Sequence, residues 1–210
     1  MRRTVSILVA TAAVALLAGC ASPDPAASPD DDHLPATTPA ASSTPSPTPT
    51  PTDEPDPTYG ERIVNDRGNL VKEIGQLSGL GNEEGTVTYA QFAVTDIVPD
   101  VECTSGFDDA PKNGHFVGIH LNVETTPELA QAVYGTVSFS EWAWQAFDDT
   151  GKRINDPTGT AWSCVDSGEV LPGDIGPAQS VSGWVVLDLP TAHGSVALTL
   201  GATTGWEWTY

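Results

Sequence analysis

Apolar residues alternate with small or polar residues in several short segments of the chain after residue 60. The clearest example is 117–123 (VGIHLNV), and the same two-residue period occurs in 86–97, 181–189 and 196–200. Successive side chains of a strand point to opposite faces of a sheet, so this alternation predicts antiparallel strands with one buried face. Turn residues separate the segments, as at 149–151 (DTG). Short strands joined by such turns predict an all-β sandwich or barrel.

The composition of residues 20–60 is different. Eleven of the 18 prolines lie within this segment, and Leu34 is its only large aliphatic residue. Such a segment buries too little apolar surface to offset the entropy lost on ordering. We therefore predict a disordered Pro/Thr/Ser/Asp-rich linker over 20–60 and one folded domain over 61–210.

The first 19 residues have the three parts of a secretory signal peptide. Arg2 and Arg3 start the chain, an uncharged and mostly apolar stretch follows from Thr4, and small residues end it at Gly19. The uncharged stretch is shorter than the roughly 20 apolar residues that a transmembrane helix needs. We therefore predict a cleaved signal over 1–19 rather than a membrane span.

Residues 17–20 (LAGC) resemble the bacterial lipobox. In lipobox proteins the cysteine thiol is lipidated and the signal is cut just before it, so the resemblance implies that Cys20 carries a diacylglycerol with acyl chains such as palmitate. Two or more acyl chains anchor a protein stably, whereas one chain binds weakly. The expected location is extracytoplasmic, on the outer face of the cytoplasmic membrane, with the lipid anchor making the membrane a partner.

Cys103 and Cys164 are the two remaining cysteines. Disulfides persist outside the cytoplasm, so two cysteines in an exported domain predict one disulfide between them. A C-x-x-C redox pair is absent from the sequence, and a zinc site would need further cysteine or histidine ligands at suitable spacing.

The charge distribution argues against nucleic-acid binding. Residues 61–210 hold 21 of the 28 acidic residues and six of the eight basic ones, a net charge of −15. Nucleic acids need a basic footprint, and so does electrostatic binding to anionic lipid. Asp108-Asp109 and Asp148-Asp149 are candidate calcium ligands, but neither pair lies in a D-x-D-x-D-G loop, and 149–151 fits a hairpin turn. We expect no metal and no cofactor.

Known catalytic motifs are absent from the sequence, which contains neither G-x-S-x-G nor H-E-x-x-H. His115 and His120 are five residues apart on one predicted strand. Their side chains then point to opposite faces and do not share a metal. We therefore expect no enzymatic activity, with a cryptic hydrolase as the least favoured alternative.

Aromatic side chains near the end of the chain are candidates for a ligand platform. Trp142 and Trp144 are expected to share one strand face, as are Trp206, Trp208 and Tyr210 in the last strand, 205–210 (GWEWTY). Rows of aromatic rings stack on sugars or peptides, but such residues more often fill the core of a sandwich or cover the end of a sheet. Both interpretations stay open at this point.

Several distinctive segments follow one another along residues 67–210. They are RGNLVKEIGQ (67–76), FAVTDIVPDVEC (92–103), NGHFVGIHLNVET (113–125), a Trp-rich strand ending in a turn (142–151), Cys164, PGDIGPAQSVSGWVVLDLP (172–190) and GWEWTY. This order resembles a family of actinobacterial secreted lipoproteins with a C-terminal immunoglobulin-like β-sandwich of unknown function, akin to a small secreted mycobacterial immunogenic protein. The resemblance implies an immunoglobulin-like antiparallel sandwich and a Cys103–Cys164 disulfide, and it implies no catalytic or ligand residues.

These features together predict a membrane-anchored extracytoplasmic lipoprotein that acts as a non-catalytic binding or interaction module. An envelope protein or a glycan is the expected partner. An accessory or structural envelope lipoprotein without a specific ligand is the alternative, because a sandwich fold alone assigns no function.

Overall fold

Eight β-strands and three short 3₁₀ helices are found in the computed structural model, which describes residues 58–107 and 109–210. The predicted signal peptide, Cys20 and nearly all of the predicted linker lie outside these residues. No helix among the described residues has the length and apolar character to cross a membrane. The strands are β1 (Leu70–Val71), β2 (Leu77–Gly81), β3 (Thr88–Pro99), β4 (His115–Thr125), β5 (Trp144–Phe147), β6 (Ser180–Leu189), β7 (Ser195–Leu198) and β8 (Trp206–Thr209), and the 3₁₀ helices are η1 (Pro127–Gln131), η2 (Glu141–Ala143) and η3 (Ala161–Ser163).

The strands form two four-stranded sheets. One has the order β1-β8-β7-β5 and the other the order β2-β3-β4-β6. All named strand pairs are antiparallel except β1 with β8, which pair in parallel. Strands β5 and β6 therefore each lie at one edge of a sheet, and this placement positions the candidate site described below.

One apolar core lies between the sheets, because both contribute side chains to the same buried cluster. The second sheet contributes Phe92, Val94, Val117, Ile119, Leu121, Val123, Val185, Leu187 and Leu189, and the first contributes Trp144, Ala146, Val196, Leu198 and Trp208. The all-β prediction is confirmed as two packed sheets.

Strands β3, β4, β6 and β7 lie where the alternating sequence predicts them, and β8 lies within the predicted last strand, 205–210. In β4, every second residue from Val117 to Val123 is buried in the core. The end of β6 departs from simple alternation, because all residues from Val185 to Leu189 are buried. Its outward face is covered by a second apolar cluster, described below.

A buried carboxylate holds the start of the domain to its last strand. Glu207 in β8 accepts hydrogen bonds from Asn65 Nδ2 (2.8 Å), Asn69 Nδ2 (2.9 Å), Ser195 Oγ (2.7 Å) and Arg67 Nε (3.0 Å), and Arg67 also contacts it through Nη2. Burial alone would raise the pKa of Glu207. The hydrogen bonds from Arg67, Asn69, Ser195 and Asn65 outweigh burial and lower the pKa from 4.5 to about 2.

The lowered pKa of Glu207 predicts an acid-sensitive contribution to stability. A carboxylate with a lower pKa in the folded state stabilises the fold above its unfolded pKa, and that contribution is lost as the pH falls toward the folded pKa. We expect Glu207→Gln to lower the free energy of unfolding by about 3 kcal/mol at pH 7. The difference from wild type should shrink between pH 5 and pH 2. Urea unfolding of wild type and Glu207→Gln between pH 7 and pH 2 measures this difference. A difference in the free energy of unfolding that does not change with pH would contradict the lowered pKa of Glu207.

Candidate functional site

A disulfide fastens two irregular segments together on the outer face of the second sheet. Cys103 and Cys164 are bonded, as the sequence predicts, and they are 61 residues apart in the chain. The backbone amides of Thr104 and Ser105 donate to the carbonyl of Cys164 at 2.8 and 3.1 Å. Apolar side chains beneath the disulfide then bury the outward face of β4 and β6. This second cluster consists of Phe116, Ala161, Cys164, Val165 and Val186.

Asp188 in β6 fixes the same covering segments through its carboxylate. The residue is 0% exposed. It accepts hydrogen bonds from the backbone amides of Lys112 (2.7 Å), Asn113 (2.9 Å) and Thr160 (3.0 Å), and from Thr160 Oγ1 (3.3 Å). Because the donors come from both segments, one side chain sets where each segment crosses the sheet.

A short piece of backbone continues the sheet beyond β6. Trp184 N donates to the carbonyl of Glu169 at 2.9 Å, and Leu171 N donates to the carbonyl of Trp184 at 3.0 Å. The indole of Trp184 packs edge-on against His120, with ring centroids 4.9 Å apart. Trp184 is thereby held half-buried on the outward face of the sheet.

These elements enclose a mainly apolar cavity of about 530 Å³. The size lies in the range typical of ligand-binding clefts. Three tryptophans line it: Trp184 on the sheet, Trp142 on η2 and Trp162 on η3. Trp142 and Trp162 remain 78% and 77% exposed. We call this arrangement the tryptophan cleft; its other lining residues are Ser140, Glu141, Thr158, Gly159, Ala161, Val165, Val170, Leu171, Gly173, Val185 and Val186.

Trp142 lies at the centre of a larger concave surface. A cavity of about 380 Å³, lined also by Tyr134 and Leu200, shares Ser140 and Trp142 with the cleft. Another of about 200 Å³ shares Glu141, Trp142 and Thr158 with it. One exposed indole therefore borders three adjoining cavities.

Contrary to the prediction from the sequence, Trp142 and Trp144 do not share one strand face. Trp144 is only 3% exposed, and its Nε1 donates to the carbonyl of Phe139 at 3.1 Å. The expected shared strand does not exist, because Trp142 lies in η2 and β5 begins at Trp144. Of the two, only Trp142 belongs to the cleft.

The aromatic residues of the last strand share one face, as predicted, but this face is turned toward the core. Trp208 is 1% exposed, and Trp206 and Tyr210 are half-buried and pack against the core. The ring of Trp206 lies 5.0 Å from that of Phe92, edge to face. The three rings are therefore used in packing, which is the core alternative that the sequence left open.

Two cleft tryptophans, Trp162 and Trp184, were not among the residues predicted as a platform. The sequence does indicate that Trp184 faces away from the core, because in the alternation of 181–189 it shares a face with Ser182 and Asp188. Trp162 lies in an irregular segment beside Cys164, where no periodicity indicates its exposure.

Asp148, one of the candidate calcium ligands, forms hydrogen bonds within its own turn. Asp148 Oδ1 accepts hydrogen bonds from Thr150 N (3.0 Å), Thr150 Oγ1 (2.7 Å) and Lys152 N (2.9 Å), which closes the predicted hairpin turn. Asp108 lies outside the described residues. Among residues 58–107 and 109–210, no three His, Cys, Asp or Glu side chains are grouped so as to hold a metal ion.

A polar cavity of about 370 Å³ contains His193, Asp149, Ser195 and Glu207. His193 Nε2 lies 3.4 Å from Asp149 Oδ2, and both side chains are exposed. Ser195 Oγ donates to Glu207, whose pKa is about 2. The same carboxylate accepts from Arg67, Asn65 and Asn69, so Ser195 belongs to the network that holds β8 to the start of the domain.

Comparison of the chain with protein-family models, with curated proteins and with solved structures finds no match.

Proposed function

We propose that this protein is a lipid-anchored, non-catalytic binding module on the outer face of the cytoplasmic membrane. Its folded part is proposed to be an immunoglobulin-like sandwich of the actinobacterial lipoprotein family that the sequence resembles. The tryptophan cleft is its binding site. Support for the anchor comes from the signal-like residues before Cys20, and support for export comes from the Cys103–Cys164 disulfide.

The exposure of Trp142 and Trp162 at the rim of one apolar cavity carries the proposal. Both side chains are more than three-quarters exposed, although an indole is among the costliest side chains to leave in water. Tryptophan is enriched where proteins bind partners, and clustered exposed apolar residues mark such sites. The disulfide and Asp188 hold the cleft in place, which limits the ordering cost of binding.

The anchor is tested by replacing the predicted lipid attachment site. We expect Cys20→Ala to shift the protein from the membrane fraction to the soluble fraction, because the thiol that carries the acyl chains is absent. Fractionation followed by immunoblotting measures the shift, with intact mass reporting the lipid on wild type. Membrane retention of Cys20→Ala at the wild-type level would contradict a lipid anchor at this residue.

The binding site is tested with the full-length protein, purified from membranes in detergent and sedimented with the insoluble cell-envelope fraction. We expect the double variant Trp142→Ala/Trp162→Ala to lose at least about tenfold in retained protein, since each exposed indole contributes on the order of 1 kcal/mol when it is covered by a ligand. Phe107→Ala is the matched control, because Phe107 is exposed and lies outside the cavities described here.

The accessory role without a specific ligand is the second candidate function. It draws support from Trp144, Trp206 and Trp208, whose rings serve packing rather than contact with a ligand. Equal envelope retention of wild type, the double variant and Phe107→Ala would favour this role over a binding module.

A further inference from the structure

We infer that the tryptophan cleft binds an uncharged polysaccharide chain. This inference rests on the proposed function, since it names the ligand class of the same site. Three features of the cleft lead to it: the shape of the concave surface, the charge of its lining, and the hydrogen-bonding groups beside the indoles.

The shape favours an elongated ligand. The cavities of about 530 and 380 Å³ adjoin each other and share Ser140 and Trp142. A ligand that fills both must pass over the indole of Trp142, with further contacts to Trp162 on one side and Tyr134 on the other. A chain of repeated units fits such a surface better than a single compact molecule does.

The charge of the lining selects a neutral ligand. Among the described residues that line the two cavities, Glu141 alone carries a charge, and no lysine or arginine is present. The smaller third cavity beside Trp142 holds, besides Glu141, one charge of each sign, Arg153 and Asp156, and therefore adds no net positive charge. Anionic ligands are recognised through cations that form paired hydrogen bonds with them. The acidic domain, with a net charge of −15 over 61–210, adds repulsion against any anion. Anionic polymers are therefore disfavoured.

The hydrogen-bonding groups of the cleft lining favour a sugar over a proline-rich peptide. Proline-rich peptides are the other ligands commonly bound by exposed aromatic rings. A carboxylate such as that of Glu141 only accepts hydrogen bonds. Sugar hydroxyl groups donate to this carboxylate and also pair with the hydroxyls of Ser140 and Thr158. A proline-rich backbone accepts from those hydroxyls but lacks most N–H donors, so it leaves the carboxylate unpaired. The electron-rich faces of Trp142 and Trp162 complement the C–H face of a pyranose ring. Sugar rings therefore satisfy both kinds of group.

The test follows the six tryptophan Nε1–H signals by NMR in the full-length protein in detergent. The probes are linear gluco-, galacto-, manno-, xylo- and arabino-hexaoses, polygalacturonate as the anionic chain, and a proline decamer. We expect at least one neutral hexaose to shift the signals of Trp142 and Trp162. Those of the core residues Trp144 and Trp208 should stay unmoved.

Single substitutions test whether Trp142 and Glu141 contribute to binding of the hexaose. We expect Trp142→Ala to weaken binding of that hexaose about tenfold, and Glu141→Gln to weaken it about threefold or more. Phe107→Ala should leave the affinity at the wild-type value. If the Trp142 effect is present but Glu141→Gln binds as wild type does, the proposed role of the carboxylate is overturned.

Other outcomes separate this inference from the proposed function. Shifts with the proline decamer or polygalacturonate, without a response to any neutral hexaose, would overturn the sugar and assign the other class. No response to any probe, while Trp142→Ala/Trp162→Ala still abolishes envelope retention, would overturn the ligand class and leave the binding module standing. If the double variant keeps both its envelope retention and its binding of the hexaose at the wild-type level, both the sugar ligand and the binding module would be overturned.

Discussion

Replacing Asp188 with alanine is expected to lower the free energy of unfolding by about 3–5 kcal/mol, because its carboxylate is the shared acceptor of several buried donors. The substitution leaves the backbone amides of Lys112, Asn113 and Thr160 without their acceptor, whereas the Thr160 hydroxyl keeps the carbonyl of Ala110 at 2.9 Å. Each unsatisfied buried donor costs about 1–3 kcal/mol unless water reaches it. Urea unfolding, followed by the near-UV signal of the aromatic residues, measures the change.

Two further variants make the Asp188 prediction specific. Asp188→Asn keeps the size of the side chain but faces the backbone amides with an NH₂ group, so we expect it to destabilise the fold as well. Asp156→Ala is the matched control, because Asp156 lies in the same covering region and pairs with Lys112 at 2.9 Å while exposed. The urea midpoint of Asp156→Ala should stay near wild type. Equal effects of Asp156→Ala and Asp188→Ala would contradict the role assigned to Asp188.

Removal of the disulfide by Cys103→Ala/Cys164→Ala is expected to cost about 4 kcal/mol, the loop-entropy value for a loop of this length. The two cysteines are 61 residues apart in the chain. Trp162 is two residues from Cys164, so the double variant should also alter the fluorescence of the native protein. Cys20→Ala is the matched control, since it removes a cysteine without touching the disulfide. Equal stability of wild type and the double variant would contradict the prediction.

Local pattern was sufficient to predict strands β3, β4, β6, β7 and β8. Apolar residues at every second position of a strand lie on one face of the sheet, and that face is buried. The apolar residues at every second position of 117–123 do lie in the core. The disulfide followed from the presence of two cysteines in a domain that the sequence predicts to be exported. The parallel pairing of β1 with β8 joins residues far apart in the chain, and no local pattern encodes it.

The cleft was largely hidden from the sequence because it depends on irregular backbone. Trp142 and Trp144 are two residues apart, which in a strand would place them on one face. A 3₁₀ helix over Glu141–Ala143 has three residues per turn, so Trp142 points to solvent while Trp144 enters the core. The covering segments around Cys103 and Thr160 have no period at all, and their path is set by Asp188, whose polar character suggested an exposed face.

Photo-crosslinking in cells tests most directly whether the tryptophan cleft is where this protein meets its partner. A photoreactive amino acid is placed at position 170 in one protein and at position 107 in another, and crosslinked products are compared after irradiation. Val170 lines the tryptophan cleft and is 45% exposed, so this position keeps Trp142 and Trp162 intact. We expect one recurrent envelope product from position 170 that is absent from position 107 and is reduced by Trp162→Ala. Identical products from both positions, or no product from position 170 in protein that fractionates with the membrane, would contradict the binding role of the cleft.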